Sequence, residues 1–182
     1  KYRDNPNVKM ISGSRLVQWG KDELNAVACN YPQIWGWATW RDDWNALKKT
    51  YSTNFYLIFP SFFPVKSFWK AGTLRALSRK IDTWDLPLAY IFWKMKFLCV
   101  IPPVNMVSNI GVDKVAQHTF SNGFPLELSI FELTSFYLPT EFSGNSIRAY
   151  NKALDSQVYG IKFRNVFSNT KAIFEFFVSR NF

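Results

Sequence analysis

Histidine, cysteine and unbroken apolar runs are scarce in this sequence of 182 residues. The two cysteines, Cys29 and Cys99, lie among apolar residues without CxxC or Cys–His spacing, so they indicate buried thiols rather than a disulfide framework. The single histidine, His118, belongs to no HExxH or zinc-finger pattern. The most apolar stretch, residues 86–103, contains two lysines and three prolines, and the first ten residues lack the apolar core of a signal peptide. We therefore expect neither a membrane span nor a disulfide-stapled fold.

Acidic residues are also few, because 13 Asp and Glu stand against 22 Lys and Arg, which gives a net charge of +9. This balance favours an anionic partner such as a nucleotide diphosphate, a nucleic acid or a membrane surface. The basic residues are dispersed along the chain, and no RNP-like or helix-turn-helix pattern appears, so nucleic acid is not the expected partner. Walker-type, GxGxxG and GxSxG patterns are absent as well.

The sequence is rich in aromatic residues, with 18 Phe, 8 Trp and 8 Tyr. So many rings suit a core, and they also suit a surface that stacks on flat or half-apolar ligands. Four tryptophans lie within IWGWATWRDDW, residues 34–44, where Thr39 is a candidate helix cap. The residues that follow share one helical face: Trp40, Trp44, Leu47 and Tyr51. Asp42 and Asp43 then fall in the first helical turn, which we prefer over a metal site.

The remaining pattern predicts few strands. A short strand is expected at residues 8–11 and a buried one at 98–101, whereas residues 54–70, interrupted by two prolines, are expected to form a loop. Helices are predicted over these further ranges: 72–80, from Thr83 onwards, 151–167 and 171–177. Two strands are few for an independent α/β domain, so the pattern is typical of part of a sheet.

Asp85 is the leading candidate for chemistry. It falls in the first turn of a predicted helix, beside Trp84, where backbone N–H groups favour the ionised carboxylate. Such a carboxylate against an aromatic wall is a candidate general base, although spacing alone favours a helix-start acid; Asp82 is the second candidate. His118 lies in the polar segment GVDKVAQHTF and is most simply a solvated loop residue. Beside a diphosphate it could contact a phosphate oxygen or a bound cation, with Lys114 adding charge.

Four segments, in order along the chain, carry a resemblance to a known family: YRDNPNVKMISGS (2–14), YPQIWGWATWRDDW (31–44), KIDTWDLPLAYIFWK (80–94) and IPPVNMVSNIGVDKVAQHT (101–119). Together they resemble the C-terminal half of a bacterial family of GT-A-type, nucleotide-diphospho-sugar-dependent glycosyltransferases, often labelled hemolytic-protein-like. The tail ALDSQVYGIKFRNVF is similar to the closing helix of that family. WGWATWR and the V-x-x-V/I-x-N-I-G pattern are the most specific pieces, and the resemblance spans nearly the whole chain.

The resemblance implies a role for several residues. Asp85 matches, more distantly, the place where inverting N-acetylglucosaminyltransferases keep the carboxylate that takes a proton from the acceptor hydroxyl. His118 and Thr119 match a late loop that closes over the donor diphosphate, and His118 is the one residue here implied near the metal, a divalent Mn or Mg ion. The residues implied on the acceptor and sugar side are Trp35, Gly36, Trp37, Arg41 and Trp84. Leu86-Pro87-Leu88 departs from the family's pattern, which puts the acceptor wall in doubt.

The fold implied is a partial GT-A (Rossmann-like) α/β fold, a mixed sheet flanked by helices. Residues 1–123 would form its acceptor-side half and residues 124–182 a C-terminal extension with closing helices. The family's nucleotide-binding half, with its acidic DxD-type motif, has no counterpart in these residues, so the chain alone is expected to be inactive. The expected partners are a nucleotide-diphosphate sugar and a glycan or lipid-linked acceptor, in the cytoplasm with peripheral contact to the inner membrane. Two alternatives stay open: a non-catalytic carbohydrate-binding or assembly module, and a basic nucleic-acid-binding domain.

Overall fold

The computed structural model describes residues 1–17, 25–53, 63–78, 80, 82–108 and 137–178. Within these ranges the chain forms four strands and five α-helices. The elements are β1 Val8–Ser12, β2 Val27–Cys29, β3 Trp37–Ala38, α1 Arg41–Thr53, α2 Pro64–Leu77, α3 Asp85–Met95, β4 Leu98–Ile101, α4 Gly144–Ala153 and α5 Val166–Val178. A π-helical turn, Leu154–Val158, and a 3₁₀ turn, Phe163–Asn165, lie between the last two helices. The expectation of an α/β fold with a mixed sheet is thereby confirmed.

The four strands make one sheet in the order β2-β4-β1-β3. β1 and β4 are parallel and central, while β2 pairs antiparallel with β4 and β3 pairs antiparallel with β1. Both faces of β4 are covered: Cys99 and Ile101 belong to the main core, and Val100 belongs to a smaller cluster on the opposite face. The apolar run of β4 therefore reflects burial on two sides.

The main core lies on the face of the sheet that the helices cover. Its members include Trp69 of α2, Phe92 of α3, Leu154 of the π-helical turn and Ile173 of α5. Helix α2 packs against both α3 and α5, and α4 packs against β2. Cys29 and Cys99, directly opposite each other on neighbouring strands, are buried and free, as predicted. Within the described helices, none is long and apolar enough to cross a membrane.

The loop that contains Gly36 depends on a glycine for two reasons. Gly36 has a φ of +58°, which L side chains rarely adopt, and a Cβ there would lie 2.4 Å from Val107 Cγ2. The Gly36 carbonyl accepts a 2.7 Å hydrogen bond from Gly13 N, and the Gly13 carbonyl accepts one from Met106 N at 2.9 Å. The end of β1, the segment between β2 and α1 (residues 30–40, the tryptophan loop) and the segment after β4 are therefore tied together at this point.

The structure corrects the predicted start of the first helix. Helix α1 begins at Arg41, and the Thr39 hydroxyl donates to the Lys9 carbonyl at 2.6 Å instead of capping the helix. Trp40 packs on the smaller cluster, whereas Trp44 and Leu47 pack on the main core, so the predicted row is split between two faces of the sheet. The tryptophan loop also contributes β3, which the sequence did not predict.

The second and third helices begin at other residues than the sequence predicted. Residues 63–70 were expected to be loop, but α2 begins at Pro64 and ends at Leu77, because proline fits the first turn of a helix, where no N–H partner is needed. Helix α3 begins at Asp85, two residues after the predicted start, and ends where Lys96 adopts the left-handed conformation. The predicted loop over residues 54–62 and the predicted domain boundary at residue 123 lie outside the described residues.

The last two predicted helices also differ from the observed ones in where they begin. Helix α4 begins at Gly144, seven positions before the predicted start, and the segment expected to continue as one helix is broken by the π-helical turn and by Gly160, which has a φ of +56°. Helix α5 begins at Val166, after the 3₁₀ turn. The strand β2 was not predicted, since three residues carry too little pattern to distinguish a strand from a turn.

Candidate functional site

Asp85 is held at the first residue of α3 by two hydrogen bonds. Its Oδ1 accepts one from the backbone N–H of Leu86 at 2.9 Å and another from the Thr83 hydroxyl. Trp84 occupies the N-cap position and makes no side-chain capping bond. The carboxylate of Asp85 thus takes the place of a capping side chain, in the first turn as predicted, where the free N–H groups of the helix favour negative charge.

Asp85 lines a cavity of about 130 Å³ together with Trp35. The described lining residues come from the β1 end, the tryptophan loop, two helices and the segment after the π-helical turn: Ser14, Leu16, Pro32, Gln33, Ile34, Trp35, Trp69, Asp85, Leu86, Ala89 and Tyr159. The fold thereby brings Asp85 and Trp35, which the resemblance implied as base and sugar contact, to one cavity. A carboxylate beside aromatic rings is suited to holding a hydroxyl-bearing ligand.

Two polar residues of this cavity were missed by the sequence analysis. Gln33 is buried; its Oε1 accepts a weak hydrogen bond from Leu16 N at 3.4 Å, and its Nε2 has no acceptor among the described residues. Burial raises the pKa of the Tyr159 phenol well above its ordinary value, and nearby negative groups that include Asp85 raise it further. Tyr159 therefore stays protonated. Gln33 stands out only as an amide within an apolar stretch, and nothing in the sequence places Tyr159 beside Asp85.

A second, apolar slot lies next to Trp84, whose side chain is 47% exposed. It has a volume of about 200 Å³ and its described lining is Trp44, Leu47, Lys48, Trp84 and Leu88. The ring centroid of Trp37 lies 5.7 Å from that of Trp44 and 5.9 Å from that of Trp84. Trp44 and Trp84 meet edge to face at 6.5 Å. These three tryptophans, the tryptophan cluster, offer a surface on which a flat ligand can stack.

The other predicted site residues are more scattered. Gly36 forms the turn that ties three segments together, and Arg41 is exposed at the start of α1. Asp82 is exposed, and neither it nor Arg41 is among the described residues that line the two cavities. Lys114, His118 and Thr119 lie outside the described residues, so the structure says nothing about the predicted diphosphate contacts.

The adjacent carboxylates of α1 do not form a pair for a metal ion. Asp43 accepts a 2.5 Å hydrogen bond from Lys9 Nζ, in an ion pair whose side chains are both 18% exposed. Asp42 is exposed. Across the described ranges, no group of three or more His, Cys, Asp or Glu side chains lies close enough to hold a metal ion.

The π-helical turn contributes one more partly buried acid, Asp155. Asp155 Oδ1 accepts a 2.7 Å hydrogen bond from the Tyr31 hydroxyl. Burial raises the pKa of Asp155, and the hydrogen bond from Tyr31 partly offsets this effect. Asp155 and Tyr31 line a wide surface groove next to α2 and α4, with Lys66, Arg148 and Lys152. This groove shares no described residue with the cavity of Asp85.

Comparison with known proteins adds no further identification. No protein-family model matches the sequence, and the searches of curated proteins and of solved structures found no match either.

Proposed function

We propose that these residues form the acceptor side of a nucleotide-diphospho-sugar-dependent glycosyltransferase, with Asp85 as the general base. The observation that supports it best is the setting of Asp85: fixed at the start of α3, next to the exposed Trp84, and lining one cavity with Trp35. The resemblance described above supplies the reaction class.

The proposed reaction is a single displacement with inversion. Asp85 takes the proton from an acceptor hydroxyl while that oxygen forms a bond to the anomeric carbon of the donor sugar, and the bond from that carbon to the nucleoside diphosphate breaks. Both observed hydrogen bonds to the carboxylate end on Oδ1, so Oδ2 is the oxygen proposed to receive the proton. The bond from Leu86 N fixes the orientation of the carboxylate before the ligand arrives.

Two aromatic surfaces flank this carboxylate in the proposal. Trp35 lies in the cavity with Asp85, and Trp84 faces the slot of the tryptophan cluster. Sugar rings have an apolar face that packs on tryptophan, while their hydroxyls require polar partners. Gln33 and Tyr159 are the polar partners proposed within the cavity, because both are uncharged and line it beside Asp85.

A divalent cation stays in the proposal through the resemblance alone. The described residues offer no cluster to hold it, and His118 lies outside them. No step of the reaction above is assigned to the ion.

The test is the substitution Asp85→Asn in the complete protein. Transfer, measured as nucleoside diphosphate released from a panel of nucleotide sugars with and without manganese, should fall at least ~100-fold, the usual effect of removing a general base. Donor binding, measured by thermal shift with the same panel, should stay unchanged. Asp82→Asn is the matched control: it removes an exposed carboxylate three positions away and should keep wild-type turnover. Wild-type turnover by Asp85→Asn would contradict the assignment.

A non-catalytic carbohydrate-binding module is the second candidate, favoured by the tryptophan cluster and the half-exposed Trp84. It predicts glycan binding without nucleoside diphosphate release from any donor. The same panel separates the two functions, since a binding module gives no turnover in the wild-type protein either.

A further inference from the structure

Helix α5 and the 3₁₀ turn before it carry an exposed row of large apolar side chains. Phe163 is 71% exposed, Phe167 74%, Phe174 64% and Val178 44%. The opposite face of α5 is buried, with Val166 and Ile173 in the protein interior. Scattered surface hydrophobes are ordinary, but a contiguous set of large ones marks an interaction site. We call these four residues the phenylalanine row.

The spacing of the row places it on one side of the helix. Its three members on α5, Phe167, Phe174 and Val178, are separated by seven and four positions, which is the period of a single helical face. The 3₁₀ turn carries Phe163 and α5 carries the other three. Because α5 packs on α2 through its buried face, the row points away from the protein. It is therefore a narrow convex ridge rather than a groove.

The charges around the ridge are mainly positive. Lys162 and Arg164 are exposed on either side of Phe163, and Lys171 is exposed between Phe167 and Phe174. The one acid of this segment, Glu175, lies 3.8 Å from Lys171 and pairs with it. Exposed phenylalanines that alternate with cations are complementary to a surface that is apolar below and anionic above.

We propose that the phenylalanine row inserts into the interfacial region of a membrane containing anionic lipids. Lys162 and Arg164, exposed on either side of Phe163, favour this occupant over a protein partner. Lysine is depleted in protein interfaces, whereas at a membrane the aliphatic stems of such cations lie along the apolar layer and their charged groups reach the head groups. The ridge shape agrees, since a lipid surface yields to a convex row that a folded partner would have to match with a groove. This inference stands whether or not the protein is a glycosyltransferase.

The experiment is co-sedimentation of the full chain with vesicles of phosphatidylcholine and phosphatidylglycerol, and with vesicles of phosphatidylcholine alone. Wild type should bind the mixed vesicles more tightly. Phe167→Ser combined with Phe174→Ser should weaken that binding at least ~10-fold, because two large apolar groups no longer enter the interface. Phe63→Ser is the matched control: Phe63 is 69% exposed at the start of α2 and is not a member of the row, so its loss should leave binding within ~2-fold.

Lys162→Gln combined with Arg164→Gln tests the charges separately and should remove the preference for the anionic vesicles. If circular dichroism shows that the double serine variant is unfolded, this glutamine variant decides the question in its place. Failure of wild type to bind the mixed vesicles, or equal binding by wild type and the double serine variant, would overturn the proposal. Self-association of the wild type without lipid, measured by sedimentation velocity and abolished by the serine substitutions, would also overturn it. A second copy of the chain would then cover the row.

Discussion

Replacing Gly36 with alanine should destabilise the protein through two separable effects. The first is the backbone conformation: a φ of +58° costs an L residue about 1–2 kcal/mol. The second is the contact with Val107, whose Cγ2 would lie 2.4 Å from the new Cβ, while its Cβ and Cγ1 would each lie at 3.4 Å. The clash comes from Cγ2 alone, because the Val107 Cβ and Cγ1 stay at van der Waals distance, so the valine side chain must move to admit the new methyl group. Overpacking of this kind adds about 1–3 kcal/mol.

A second glycine of the chain isolates the first effect. Gly160 has a φ of +56°, and a Cβ there meets nothing within 4 Å. Gly160→Ala should therefore cost about 1–2 kcal/mol from conformation alone, and the excess of Gly36→Ala over it should measure the clash. The free energies of unfolding are obtained from urea titrations followed by tryptophan fluorescence and circular dichroism.

Val107→Ala, alone and combined with Gly36→Ala, completes a double-mutant cycle that measures this contact. It removes both methyl groups and leaves a Cβ at 3.4 Å, so Gly36→Ala combined with Val107→Ala should cost about 1–3 kcal/mol less than the sum of the single variants. The same valine substitution should not rescue Gly13→Ala fully, because a Cβ at Gly13 also meets the Gly36 carbonyl oxygen at 2.9 Å. Additive costs, or a Gly36→Ala variant no less stable than Gly160→Ala, would refute the packing of Val107 against the tryptophan loop.

Two further predictions concern titration and thiol chemistry. Burial raises the folded-state pKa of Asp155 above its ordinary value, so wild type should lose stability relative to Asp155→Asn as the pH rises through that pKa. Tyr31→Phe removes the hydrogen bond that lowers this pKa, so it should move the loss to higher pH. Parallel pH–stability curves for wild type and Asp155→Asn would contradict this prediction. Burial also raises the pKa of the Cys29 thiol to about 12 and raises that of Cys99 well above its usual range. A thiol-specific disulfide reagent at pH 8 should therefore modify both cysteines only in urea. Fast labelling of the native chain would contradict this and show that the sheet opens.

The elements that sequence analysis found are those whose pattern is long or strongly apolar. The two central strands were predicted at almost their observed positions, since burial on both faces gives β4 an unbroken apolar run. The edge strands β2 and β3, of three and two residues, are too short for any period, and they are defined by their partners in the sheet. The start of α2 was misplaced because Pro64 was interpreted as a breaker, although the first turn of a helix accepts proline.

The candidate site was predictable only in part, and the reason is spatial. Asp85 was identified by its place at a helix start, a local property, and that place is confirmed. Its neighbours Gln33 and Tyr159 come from segments far apart in the chain and share a cavity only after the sheet and helices have packed. Trp35 and Trp84, both implied on the acceptor and sugar side by the resemblance, line different cavities in the structure, a distinction that no linear pattern carries.

The pairing of β1 with β4 also governs the order in which the chain can fold. Val8 and Leu98 are partners in the ladder although about 90 positions separate them, so the centre of the sheet closes only after the chain between them has been synthesised. Until then β1 has one described neighbour in the sheet, the two-residue β3. A chain ended before Leu98 would expose Met10 and Val8, which are buried in the native protein, and we expect it to aggregate. The nascent chain is thus most vulnerable between the synthesis of these two strands.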